Sequence, residues 1–262
     1  MFKNGLKAAV LVAVAGAMLG SGVAVAAPGA TAPGLAAPAE AAAVNHVGTV
    51  EFRYASGGTP SKCVGVVIDS YTQNLRGRLV ATAAHCGIRS NGEQPNWGRF
   101  TANDGTTVAA GVGFVYAATG WNGVKDAPHD LAVFGTAPVN NLPVGRLIGA
   151  AGWAPGQTAT SGNLVDRKNG SQQIRPFSIS LGSQGRLSSN VPASVPAEND
   201  GGGWFSQLPG AGFPGGQLVG LSTSASDPAG AASGYALDGA FDEAVRIAEY
   251  CLVSPGDLRC RR

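Results

Sequence analysis

The chain is poor in charge: only 13% of its 262 residues are Asp, Glu, Lys or Arg, and the net charge is +2. That balance is too weak to mark nucleic acid or an acidic surface as the partner. Histidine is scarce, with His46, His85 and His129 the only three. None stands at helical ligand spacing from another, and no Cys-x-x-Cys pair exists, so no metal site is expected. There is no Gly-rich phosphate loop and no nucleotide fingerprint, so no cofactor is expected. After the first twenty residues no stretch is apolar enough to span a bilayer. Long helical patterns are equally rare. What abounds is glycine and proline, 40 and 16 residues, a composition that suits many short strands joined by tight turns.

The N-terminus reads as a secretory signal peptide over residues 1–26. Lys3 and Lys7 supply the charged start, an apolar run extends from Ala8 to about Leu19, and Ala24-Val25-Ala26 offers small residues before a cut near Ala27. Residues 27–44 are almost entirely Ala, Pro, Gly and Thr, a linker or pro-segment that buries little. The folded domain is expected over 45–262. In an exported chain the four cysteines are expected to pair. Three connectivities are possible, and proximity favours Cys63 with Cys86 and Cys251 with Cys260.

Strand signals are short and frequent. They fall at Val47–Tyr54, Cys63–Ile68, Leu79–Thr82, Trp97–Ala102, Thr106–Tyr116, Leu131–Phe134, Leu147–Ala151, Ile174–Ser180 and Gln217–Ser222, with a hairpin turn at Asn103-Asp104-Gly105. One helix is expected over 238–252. Asp238 can cap it, and Phe241, Val245, Ala248 and Leu252 give one apolar face.

Two strings carry chemistry. Thr82-Ala83-Ala84-His85-Cys86 follows an apolar strand, and Asp130 opens the apolar run Leu131-Ala132-Val133-Phe134. Together with Asn199-Asp200-Gly201-Gly202-Gly203 they resemble, in order, the histidine, aspartate and serine motifs of the secreted bacterial trypsin-like (chymotrypsin-fold, S1) serine proteases. The resemblance covers about residues 45–250. It implies an all-β chain of two six-stranded antiparallel Greek-key barrels (about 45–145 and 146–237), closed by the C-terminal helix. It also implies a monomer with His85 as general base and Asp130 as its orienter, Asp126 being the weaker rival.

The third motif is altered. Aligned with Gly-Asp-Ser-Gly-Gly, glycine at 201 takes the nucleophile's position, and glycine has no side chain with which to attack a carbonyl. Asn199 and Gly201 would supply the oxyanion-hole N–H groups, Val195 and Ser222 the specificity pocket, and Asp200 has no partner legible in the sequence. Ser194 and Ser206 lie seven residues before and five after Gly201. Five residues of strand span about 16 Å, far beyond the reach of a base that must lie within about 3 Å. Losing the nucleophile removes a factor on the order of 10⁶ in a serine protease. The leading expectation is therefore a secreted, catalytically silent homologue that binds polypeptides or protease inhibitors. The alternatives are an active serine endopeptidase whose nucleophile lies elsewhere and a purely structural exported domain.

Overall fold

The computed structural model describes residues 44–168, 170–192, 200–210, 214–224 and 231–260, all within one compact unit, 41–262. The expected signal peptide and linker, Ser194, Val195 and Asn199 lie outside the described residues.

Six strands close the first barrel: β1 (Val47–Arg53), β2 (Ser61–Ile68), β3 (Leu79–Thr82), β4 (Trp97–Thr101), β5 (Val108–Ala117) and β6 (Ala132–Thr136), in the order β1-β2-β3-β6-β5-β4. Every pairing is antiparallel. Alternate residues point inward, so Val50, Phe52, Val67, Val80, Phe100 and Phe134 fill the interior. The turn between β4 and β5 forms at the Asn-Asp-Gly signal. Asp104 accepts the Thr106 and Thr107 N–H groups at 2.8 Å each, and Gly105 takes φ +70°.

The second barrel is β8 (Ser161–Lys168), β9 (Ser171–Leu181), β10 (Arg186–Pro192), β11 (Gly203–Gln207), β12 (Gln217–Ser224) and β13 (Ala231–Ala236). It runs β11-β8-β9-β10-β13-β12 and closes by pairing β11 with β12. A short β7 (Gly152–Trp153) adds to β12 in parallel. Leu164, Phe177, Leu187, Trp204 and Val219 form its core. A third apolar cluster joins the barrels and takes in the C-terminal helix, through Val66, Leu79, Leu131, Val165, Phe205, Leu221 and Phe241.

The expected strand at Leu147–Ala151 is not formed. Pro143 precedes a five-residue helix, α2 (Val144–Ile148), α1 being the one-turn helix at His85 described below. The proline sits at the N-cap, where its missing N–H costs the helix nothing, and Gly145 N–H donates to the Gly77 carbonyl at 2.8 Å with no room for a side chain between them. The C-terminal helix, α3 (Gly239–Val253), forms as read. The Asp238 carboxylate accepts from the Ala240 and Phe241 N–H groups at 3.0 Å each. Phe241, Val245 and Ala248 are buried. Both expected disulfides are made, Cys63–Cys86 between β2 and the turn after β3, and Cys251–Cys260 at the end of α3. Among the described residues no helix is long and apolar enough to cross a membrane.

Candidate active site

The site lies where the turn after β3 meets the turn before β11. β3 runs straight into Ala83 and α1 (Ala84–Gly87), which carries His85. Ala83 and Ala84 are fully buried. Cys86 is tied to β2 by its disulfide, and its carbonyl accepts from Tyr54 Oη at 3.0 Å. The imidazole is thereby fixed from its backbone outward.

Asp130 is completely buried. Its carboxylate accepts from the His85 ring at Nδ1 (2.7 Å), from the His85 backbone N–H (2.9 Å) and from the Asp126 backbone N–H (2.9 Å). Three donors satisfy a charge that burial would otherwise make costly. Asp126 thus contributes its N–H to Asp130, while its own carbonyl accepts from Tyr235 Oη at 3.0 Å. Asp126 and His129 both adopt left-handed backbone, φ +62° and +63°, so this loop is sharply folded around the carboxylate.

The other ring nitrogen faces a second carboxylate. His85 Nε2 lies 3.0 Å from Asp200 Oδ2, and Lys125 Nζ donates to the same oxygen at 2.7 Å. The Asp200 carbonyl accepts from Val64 N–H at 2.8 Å, pinning this turn of the second barrel onto β2 of the first. Asp200 is 1% exposed, and its Oδ1 has no hydrogen-bond partner among the described residues. Charges alternate along the row Lys125, Asp200, His85, Asp130.

These contacts correct the expected alignment by one position. The side chain opposite the His85 base nitrogen belongs to Asp200, not to residue 201. Gly201 has φ +90°, and a Cβ there would lie 2.0 Å from the Val64 carbonyl oxygen and 2.7 Å from Thr82 Oγ1. No side chain fits, and one placed there would point at β2. The Gly201 N–H donates to the Ser222 carbonyl at 2.6 Å, so it is not available to an oxyanion. Ser222 is buried with its hydroxyl accepting from Trp204 Nε1 at 2.8 Å, so that hydroxyl is turned into the barrel wall. Ser206 Oγ is directed to the Gln217 carbonyl. Among the described residues no Ser or Thr hydroxyl lies within hydrogen-bond distance of the His85 ring. Lys125, which completes the row, carried no signal in the sequence beyond lying five residues before Asp130.

Burial by itself would lower the His85 pKa, but the hydrogen bonds and charges of Asp130 and Asp200 outweigh it and push it up to about 9. At neutral pH both ring nitrogens therefore hold protons and donate to carboxylates. Such a ring has no lone pair with which to accept a proton. Cys63, His85 and Cys86 lie close together, but both sulfurs are consumed by the disulfide, which removes them as metal ligands.

No family model matches the chain, and no curated protein matches it in sequence. Solved structures do match in shape. The protease Anisep from Arthrobacter nicotinovorans aligns with a TM-score of 0.63 at 16% identity, over 78% of this chain and 95% of that one. A thermostable serine protease from an extremophilic microorganism gives 0.61 at 18%, over 82% and 99%. A Glu endopeptidase gives 0.59 at 16%, over 78% and 91%. With its two closed six-stranded barrels and C-terminal helix, the chain has the fold of the bacterial trypsin-like serine proteases.

Proposed function

We propose that the chain is an exported serine-protease homologue that binds polypeptides or protease inhibitors in its cleft without cleaving them. The observation that carries this reading is Asp200 Oδ2, 3.0 Å from His85 Nε2. In a working triad that position holds the hydroxyl oxygen, and the base must be free to take its proton. Here the position holds a carboxylate and the base is already protonated. Asp200 is no substitute nucleophile. Its attack on a peptide carbonyl would exchange an amide for a mixed anhydride, which is strongly uphill. Export is supported by the charged and apolar opening of the chain and by the two disulfides.

Two measurements on the purified chain test this. A fluorophosphonate probe is expected to label no serine, and casein and mixed peptides are expected to remain intact. One labelled serine whose labelling is lost in His85→Ala would instead establish an active endopeptidase. Calorimetry with a broad-range polypeptide protease inhibitor and with extended peptides is expected to give saturable binding at one site. If none of them binds, the polypeptide-cleft reading is lost.

A further inference from the structure

Away from His85, a cavity of about 190 Å³ lies between the first barrel and α3. Arg78, Val112, Tyr116, Ala248, Leu252 and Pro255 contribute to its wall, which is mainly apolar. Two local features shape it. The β5–β6 register breaks between Val112 and Val115, and Gly113 in that break has φ +73°. Gly113 lies beside the hydroxyl, where a Cβ would make only an ordinary contact with Tyr116 Oη at 4.0 Å. On the opposite wall, Leu252 packs directly on Gly135, which brings α3 down onto β6.

Two polar groups in this wall are underused. Tyr116 is 8% exposed; its oxygen faces the Phe114 backbone N–H, and its O–H has no acceptor among the described residues. A buried O–H left without an acceptor costs about 1–3 kcal/mol, so its retention calls for an explanation. Arg78 donates from Nε to the Thr136 carbonyl at 3.1 Å and forms no ion pair among the described residues. Burial raises the Tyr116 pKa, partly offset by the Phe114 backbone N–H, and the protonated phenol has an O–H to donate.

We infer that this cavity is a binding site for a small monocarboxylate with an apolar body of about benzene size, its carboxylate held by Arg78 and the Tyr116 hydroxyl. The volume fits: an apolar cavity of about 150 Å³ takes a benzene molecule. The chemistry also fits, because a guanidinium and a phenol O–H are both donors, and a carboxylate on an apolar body accepts from both. The site is separate from the His85 row and does not depend on what that row does.

Benzoate is the probe and benzyl alcohol its uncharged counterpart, titrated calorimetrically into the purified chain. Benzoate is expected to bind saturably at one site, and benzyl alcohol about tenfold more weakly or worse. In Tyr116→Phe, benzoate affinity should fall about tenfold, because the O–H that would donate to its carboxylate has gone. Arg78→Gln should weaken benzoate at least as much. The proposal is overturned if benzoate shows no saturable binding or if Tyr116→Phe binds it as wild type does.

Discussion

The His85 ring lies between two buried aspartates of different design. On the Nδ1 side, Asp130 is held by three donors from the first barrel's own loops and is wholly enclosed. On the Nε2 side, Asp200 comes from the second barrel, shares one oxygen between His85 and the half-exposed Lys125, and leaves its other oxygen without a partner among the described residues. The first aspartate orients an imidazole. The second helps keep it protonated, so that it cannot act as a base. The same side chain therefore supports or disables general-base chemistry according to which ring nitrogen it meets.

The largest way to break this contrast is to remove the better-built side. Asp130→Ala strips two backbone N–H groups and the ring of their acceptor inside the protein, and urea unfolding should show a loss of about 3–5 kcal/mol. Asp200→Asn, which keeps an amide oxygen facing the ring, should cost clearly less. An equal loss in the two would erase the distinction.

Next in size is the pH dependence. The His85 pKa is raised to about 9. Its contribution is therefore complete below about pH 6.5, the unfolded value, and lost as pH rises toward 9. The scale is on the order of 3 kcal/mol. His46 acts in the opposite sense: burial, only partly offset by a backbone hydrogen bond with Gly215, lowers it to about 4. Its neutral form then favours the fold above about 6.5, and that contribution is lost as pH falls toward 4. Stability should peak near pH 6.5. In His85→Gln the alkaline decline should flatten, and titration of the ring by NMR should place its midpoint well above 7 in the wild type.

A smaller effect tests the cap of α3. Asp238→Ala removes the acceptor for the Ala240 and Phe241 N–H groups and should cost about 1 kcal/mol in the same unfolding assay. The smallest involves Lys125. Because it is 42% exposed, Lys125→Gln should change stability by less than about 1 kcal/mol. It should nonetheless raise the His85 pKa further, since a neighbouring positive charge is gone. A lowered value would mean that Lys125 does not act on the ring through Asp200.

Much of this site is legible in the sequence because its side chains leave signals. The small-residue turn before His85 and the apolar strand after Asp130 point to a base and its orienter, and their contact is made at 2.7 Å. The N-capped helix could be read for the same reason. The run 199–203 could not, because three consecutive glycines carry no side chains to fix which residue faces the cleft. That register is set by the positive φ at Gly201 and by the Val64 N–H on the Asp200 carbonyl, both products of tertiary contact. Strands β7, β8, β10, β11 and β13 went unread, β8 because Asp166, Arg167 and Lys168 blur its alternation. The sequence Asn169-Gly170 before β9 was a usable hairpin signal that went unused. Leu147–Ala151 shows the reverse fault, a short apolar run that suits strand and helix alike.

The most direct test of the account is fluorophosphonate labelling and casein hydrolysis by Asp200→Ser beside Gly201→Ser. The account predicts that Asp200→Ser, which puts a hydroxyl opposite Nε2 and frees the ring of its second carboxylate, acquires labelling at residue 200 that His85→Ala abolishes. Gly201→Ser should stay unlabelled and be destabilised by its clash with the Val64 carbonyl. Labelling at residue 201, with Asp200→Ser inert, would contradict it.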